Sequence, residues 1–273
     1  MPASSSRFNQ PCDIRALLGR LRALATEVSA TAGCAALKLR VVDAFTHENC
    51  RQEILCVQMV GAPAGHDPIR LGLFAGIHGD EPAGCAALVE LVTSLATNPA
   101  RMAGYELFVY PVLNPVGCER GTRVNHAGKD LNREFWRNSA EAEVRSIEEE
   151  LRTRQFHGII TLHADDTSEG LYGYAHGRTL NESLLTPALE AARQFLPLDG
   201  RAIIDGFPAR DALICDCYAG VWSAPPEQRP QPFDLIFETP GTAPFELQVS
   251  ATVAALDSIL RIYPGFIAYA QDL

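Results

Sequence analysis

The stretch Leu71-Gly-Leu-Phe-Ala-Gly-Ile77 is apolar from end to end and then breaks into His78-Gly-Asp-Glu81-Pro82. A short run without polar alternation marks a strand buried on both faces, and such strands belong to sheets covered by helices on either side. Pro82 suits the first turn of a helix, where no backbone donor is needed, so a helix is expected over residues 82–96. The strand-to-helix turn therefore carries an imidazole and, three residues later, a carboxylate. Donors of these two types at this spacing can hold one face of a Zn²⁺ ion and leave positions for a second histidine and a water.

The rest of the chain repeats the alternation of strand and helix. Residues 13–31 place Ile14, Leu17, Leu18, Leu21, Leu24 and Val28 at helical spacing, with Asp13 as N-cap. Strands are expected at 37–44 and 54–60 as a hairpin, then at 105–113, 158–162, 171–174 and 233–237. Helices are expected at 140–155, 181–196 and 243–261. Residues 114–137 keep no periodicity and read as a long loop, a feature that compact domains seldom retain without function. Residues 224–232 are Pro-rich and read as a surface loop. With 273 residues, 47% of them hydrophobic, the simplest account is one α/β domain over 1–273.

Charge and composition narrow the partners. A net charge of −10 and a pI near 5.2 argue against nucleic acid and against anionic membrane surfaces. No apolar stretch approaches the roughly 20 residues of a spanning helix. The start, Met1-Pro-Ala-Ser-Ser-Ser-Arg7, lacks the apolar core of a secretory signal, and the eight cysteines are scattered like reduced thiols, so a cytoplasmic protein is expected. Of 23 basic residues only Lys38 and Lys129 are lysines. Four arginines (Arg120, Arg123, Arg133, Arg137) lie in the long loop, an arrangement suited to gripping a small anion.

A metal held by His78 and Glu81 needs a third ligand. His163 has the best context, because it ends the strand-like Gly158-Ile-Ile-Thr-Leu162, where a sheet edge opens into a cleft. His47, His66, His126, His157 and His176 lie in polar or turn-like surroundings that suit surface or hydrogen-bonding roles. Glu238 ends the run Phe233-Asp-Leu-Ile-Phe237 and is placed to accept a proton and return it to a leaving amine. Arg123 suits a substrate carbonyl and its oxyanion, Asn132 and Arg133 a substrate carboxylate, and Asp130 the second ring N–H of His78. Glu141, Glu143, Glu148, Glu149 and Glu150, mixed with arginines, are expected on a solvated helix face. Gly-x-Ser-x-Gly and the Gly-Lys-Ser/Thr ending of a phosphate loop are both missing from the sequence.

Taken in order, Gly76-Ile-His-Gly-Asp-Glu81, Asn114-Pro-Val-Gly117, Thr122-Arg123, Asp130-Leu-Asn-Arg-Glu-Phe135, Leu162-His163 and Phe237-Glu238-Thr239 resemble the zinc metallocarboxypeptidase superfamily. That superfamily includes murein-peptide amidases and the succinylglutamate desuccinylase/aspartoacylase branch. The resemblance implies a mixed, largely parallel twisted sheet of about eight strands with helices on both faces. It also implies one zinc ion on His78, Glu81 and His163, with Glu238 as general base and acid. Arg123 would polarise the scissile carbonyl, Asn132 and Arg133 would bind the substrate carboxylate, and Asp130 would support His78. A mobile tyrosine often precedes the catalytic glutamate in the family, and Tyr218 stands at a suitable distance. The implied substrate is a small carboxylate-bearing amide or short peptide. The short chain beyond Glu238 favours a carboxypeptidase or peptide amidase. N-acyl-amino-acid deacylation is the second reading, and a non-catalytic zinc-pocket binding protein the third.

Overall fold

The computed structural model describes residues 13–29, 36–176, 178–214 and 222–271. Its elements, in chain order, are α1 (Ile14–Ser29), β1 (Ala36–His47), β2 (Cys50–Val60), β3 (Ile69–Phe74), α2 (Pro82–Thr97) and β4 (Tyr105–Tyr110). There follow α3 (Pro115–Arg120), α4 (Ala142–Arg154), β5 (Gly158–Asp165), β6 (Tyr172–Ala175), α5 (Arg178–Leu180) and α6 (Thr186–Ala192). The last are β7 (Ile203–Ile204), β8 (Phe207–Arg210), β9 (Leu213–Ile214), β10 (Phe233–Pro240) and α7 (Phe245–Gln271).

The strands form one mixed sheet in the order β1-β2-β4-β3-β5-β10-β6-β9-β8-β7. Period-two alternation splits the strand residues between two cores. Leu71, Leu73, Leu107 and Val109 pack with α1, α2, α6 and α7, whereas Phe74, Phe108 and Tyr110 face α4. On the second face Phe74 stacks on Tyr110 at 4.6 Å and meets Phe156 and Trp222 edge-on. Complete burial of a Phe side chain such as these contributes about 2–3 kcal/mol each.

The expected sheet needs two corrections. It has ten strands rather than eight, because residues 203–214 fold into short strands at the β7 edge. Asp205-Gly206, both with positive φ, makes the tight turn between β7 and β8, a hairpin signal that the sequence contained. Parallel pairing is confined to the β4-β3-β5-β10 centre and to one β6–β9 pair; the other neighbours run antiparallel. The 114–137 segment is also more ordered than a plain loop, since it contains α3 and a 3₁₀ turn at Leu131–Arg133.

The acidic face of α4 is a further correction. Glu143, Glu148 and Glu150 are buried. Glu150 accepts a bond from the Tyr110 hydroxyl at 2.7 Å and pairs with Arg40 and Arg154. Glu148 accepts the backbone N–H of Trp136, and Glu143 lies 3.7 Å from His126 Nδ1. Partners from distant segments offset the cost of removing Glu148 and Glu150 from water, and no local pattern announces such partners.

Candidate metal centre

Three neighbouring parallel strands, β3, β5 and β10, end at the same edge of the sheet. His78 follows β3, while His163 and Glu238 face each other in register across β5 and β10. In a pleated sheet, paired residues project to the same side, so the ladder itself brings imidazole and carboxylate together. All are withdrawn from water: His78 is 2% exposed, Glu81 and His163 7%, and Glu238 6%.

The turn after β3 needs its glycines. Gly76 adopts φ +66°, and a Cβ on Gly79 would lie 2.0 Å from the Gly117 carbonyl carbon. The Gly79 N–H donates to Thr122 O at 2.9 Å, and the Asn114 N–H to Gly76 O at 2.8 Å. Asn114 also caps α3 through the Gly117 N–H. These bonds fasten the His78 turn to the segment that carries Arg123. Glu81 occupies the N-cap position of α2 with Pro82 next, as the sequence implies.

The Glu81 carboxylate sits between two imidazoles. Its Oε1 is 2.6 Å from His78 Nδ1 and its Oε2 2.9 Å from His163 Nδ1. One ligand atom from each of the three lies within 4.8 Å of the others, so these side chains can hold a single metal ion. Two nitrogens and a carboxylate oxygen are the donor set of a three-ligand site with an open position. Burial opposes ionisation of Glu81, but the two imidazoles outweigh it and hold the carboxyl below its usual range. Burial also opposes charging His78, yet the Glu81 charge and the bond to Asp130 raise its pKa to about 9.

The remaining expected residues gather around this triad, with one exception. Asp130 Oδ1 lies 3.1 Å from His78 Nε2, the ring nitrogen turned away from Glu81. Arg123 donates to Asp130 Oδ2 through Nε at 3.2 Å and to Glu81 Oε1 through Nη1 at 3.4 Å. Asn132 and Arg133 line the cavity over the triad; Asn132 Oδ1 accepts the Trp222 N–H at 2.9 Å, which leaves its amide NH₂ as donor. Glu238 lines the same cavity, and burial, reinforced by the negative charges of Glu81, Asp165 and Asp205, pushes its pKa well up. Tyr218 lies outside the described residues.

That cavity measures about 910 Å³. It includes residues that sequence reasoning did not single out: Asp165, Tyr172, Asp205, Phe245 and part of α1. Asp165 stands on His163's own strand, two positions on, and accepts the Tyr172 hydroxyl at 3.0 Å; that spacing was a usable signal. The α1 and α7 contributions depend on packing between distant segments and had none.

Residues 68–196 match the family model of the succinylglutamate desuccinylase/aspartoacylase catalytic domain. No curated protein sequence matches the chain. A protein of Shewanella amazonensis, provisionally named a metallopeptidase, has a similar structure at TM-score 0.75 and 24% identity, covering 94% of this chain and 96% of its own. A metallo-carboxypeptidase of Burkholderia cenocepacia superposes with TM-score 0.69 at 17% identity, over 95% of this chain and 70% of its own. A metallo-carboxypeptidase of Pseudomonas aeruginosa, in complex with (2-guanidinoethylmercapto)succinic acid, gives TM-score 0.57 at 18% identity, over 90% of this chain and 68% of its own. At these identities the likeness is one of fold. Among the described residues no helix is long and apolar enough to cross a membrane.

Proposed function

We propose that this chain is a zinc hydrolase that cleaves an amide bond next to a free carboxylate, a reading supported by the family match over residues 68–196 and by the likeness of fold. The observation that carries the reading is the buried His78–Glu81–His163 triad in a cavity also lined by Glu238, Arg123 and Arg133. Zinc, when bound by the triad, supplies Lewis acidity and lowers the pKa of water.

The chain's own residues then have distinct tasks. Glu238, with its affinity for protons raised by burial, takes the proton of the attacking water and delivers it to the departing nitrogen. Arg123, half-exposed beside Glu81, donates to the carbonyl oxygen as negative charge develops there. Arg133 is exposed at the cavity wall and, with the Asn132 amide, holds the substrate carboxylate. Asp130 keeps the His78 ring in place through Nε2. The succinic-acid ligand of the Pseudomonas aeruginosa protein is consistent with carboxylate recognition in this fold.

A second reading, N-acyl-amino-acid deacylation by the same residues, draws support from the family model over residues 68–196. The test is metal analysis of the purified protein combined with a panel of short peptides and N-acyl amino acids. One equivalent of zinc with turnover of either class supports the hydrolase. Full metal occupancy with no turnover across the panel overturns it in favour of a binding protein.

A further inference from the structure

The cavity extends well past the triad, along a trough whose floor is α2 and whose sides are α1 and α7. On α2 the lining residues are Pro82, Ala83, Ala86 and Glu90, one stripe running away from Glu81. From position 82 to position 90 this stripe covers about 12 Å at a rise of ~1.5 Å per residue. Its walls carry apolar side chains, Ala16 and Leu17 from α1 and Phe245 and Val249 from α7, beside the polar Arg20, Glu246 and Gln248. Phe245 leaves 37% of its surface exposed, a large apolar side chain without a full covering. Arg20 and Glu90 pair at 3.1 Å at the far end.

Charge along the trough is one-sided. Asp13 and Glu246 line it, as do Asp165 and Asp205 nearer the triad, whereas Arg20 is already neutralised by Glu90. The other arginines of the cavity, Arg123 and Arg133, come from the 121–133 segment rather than from the trough helices, and Arg123 is itself paired with Asp130 and Glu81. The trough helices therefore offer an anion no cation other than the Glu90-paired Arg20.

We infer that the α1–α2–α7 trough is the specificity site for the acyl side of the amide, and that it takes an extended, uncharged, apolar acyl segment rather than an acetyl or succinyl group. The inference rests on the hydrolase reading for the orientation of the substrate, with its carboxylate at Arg133 and the amide over the triad. A small acyl group would leave most of the 910 Å³ filled with water, and a second carboxylate would enter a field of like charge. An alkyl chain excludes that water from the exposed Ala16 and Phe245.

The experiment compares N-acetyl, N-succinyl and N-octanoyl derivatives of one amino acid on the zinc-loaded protein, alongside calorimetric binding of acetate, succinate and octanoate. The octanoyl substrate is expected to exceed the acetyl one at least tenfold in kcat/KM, with succinyl no better than acetyl. Octanoate is expected to bind at least tenfold more tightly than acetate. Ala16 is exposed on α1, so Ala16→Trp leaves the core intact while filling the trough; it should lower the octanoyl-to-acetyl ratio at least tenfold and weaken octanoate alike. Phe245→Ala, at another exposed position, should lower the ratio from the opposite wall. Equal kcat/KM and equal affinity across chain lengths, unmoved by Ala16→Trp, overturn the inference. Turnover of none of the amides with octanoate binding still sensitive to Ala16→Trp overturns the hydrolase reading and leaves the trough assigned.

Discussion

Asp130 reaches His78 from the far end of the segment that carries Arg123: its Oδ1 lies 3.1 Å from Nε2, while Nδ1 of the same ring faces Glu81 at 2.6 Å. The carboxylate fixes which nitrogen carries hydrogen and therefore which one is free for a metal. Asp130→Ala is expected to weaken zinc binding about 10–100-fold, with Asp130→Asn intermediate. Competition with a chromophoric chelator measures this, and unchanged affinity in Asp130→Ala would show that the bond has no part in holding the ring.

Glu238→Gln keeps the shape of the side chain and removes its ability to take a proton. The variant is expected to bind one zinc as the parent does and to lose about 10²–10⁴ in kcat on any accepted amide. Loss of the metal together with activity would instead make Glu238 a structural partner of the triad.

Arg133→Ala should act on binding. The KM for carboxylate-bearing substrates is expected to rise about tenfold or more, the loss of one charge-assisted contact, with a smaller change in kcat. The same substrates with an amidated carboxyl group should barely register the substitution. Equal losses on both sets would remove the anchoring role.

Zinc at one hundred times its dissociation constant should stabilise the folded chain by about 2.7 kcal/mol, which corresponds to roughly 5–10 °C in melting temperature. Chelation should reverse the shift and abolish activity, and zinc should restore both. A melting temperature indifferent to zinc and chelator would refute a folded-state metal site.

Asp234 supplies a pH test away from the triad. Burial raises its pKa to about 6, against which the Ala224 N–H works only partly. The folded chain therefore holds this proton more tightly than the unfolded one. The stabilising contribution is complete below about pH 4, is lost as pH rises to about 6, and stays lost above that. Asp234→Asn should be less sensitive to pH over that window, and at pH 7 more stable than the parent by on the order of 2 kcal/mol. Parallel stability curves for the two proteins between pH 4 and 7 would contradict this.

How much was legible in the sequence follows from where each partner lies. His78 and His163 were singled out because each ends an apolar run, and a strand end has a defined place in an α/β sheet, whereas Glu81 was singled out by its spacing from His78 and by Pro82 after it. The β1–β2 hairpin and α2 followed from periodicity and Pro82. The β7–β8 turn had its Asp-Gly signal but strands only two and four residues long, too short for alternation to show. Burial of Glu143, Glu148 and Glu150 depends on Arg40, Tyr110, His126 and Trp136, which sequence spacing alone does not bring near. The trough beside the triad was invisible for the same reason, since Ala16 and Phe245 come from opposite ends of the chain.

Pairing of Glu238 with His163 in the β5–β10 ladder makes chemistry hostage to register. A slip of one position along β10 would turn the glutamate to the face that Phe237 shares with α2 and α7, and would set Phe237 or Thr239 opposite His163. Insertions between elements leave this pairing untouched, while a single residue added inside either strand would separate Glu238 from His163 and turn the apolar residues of that strand to the wrong face.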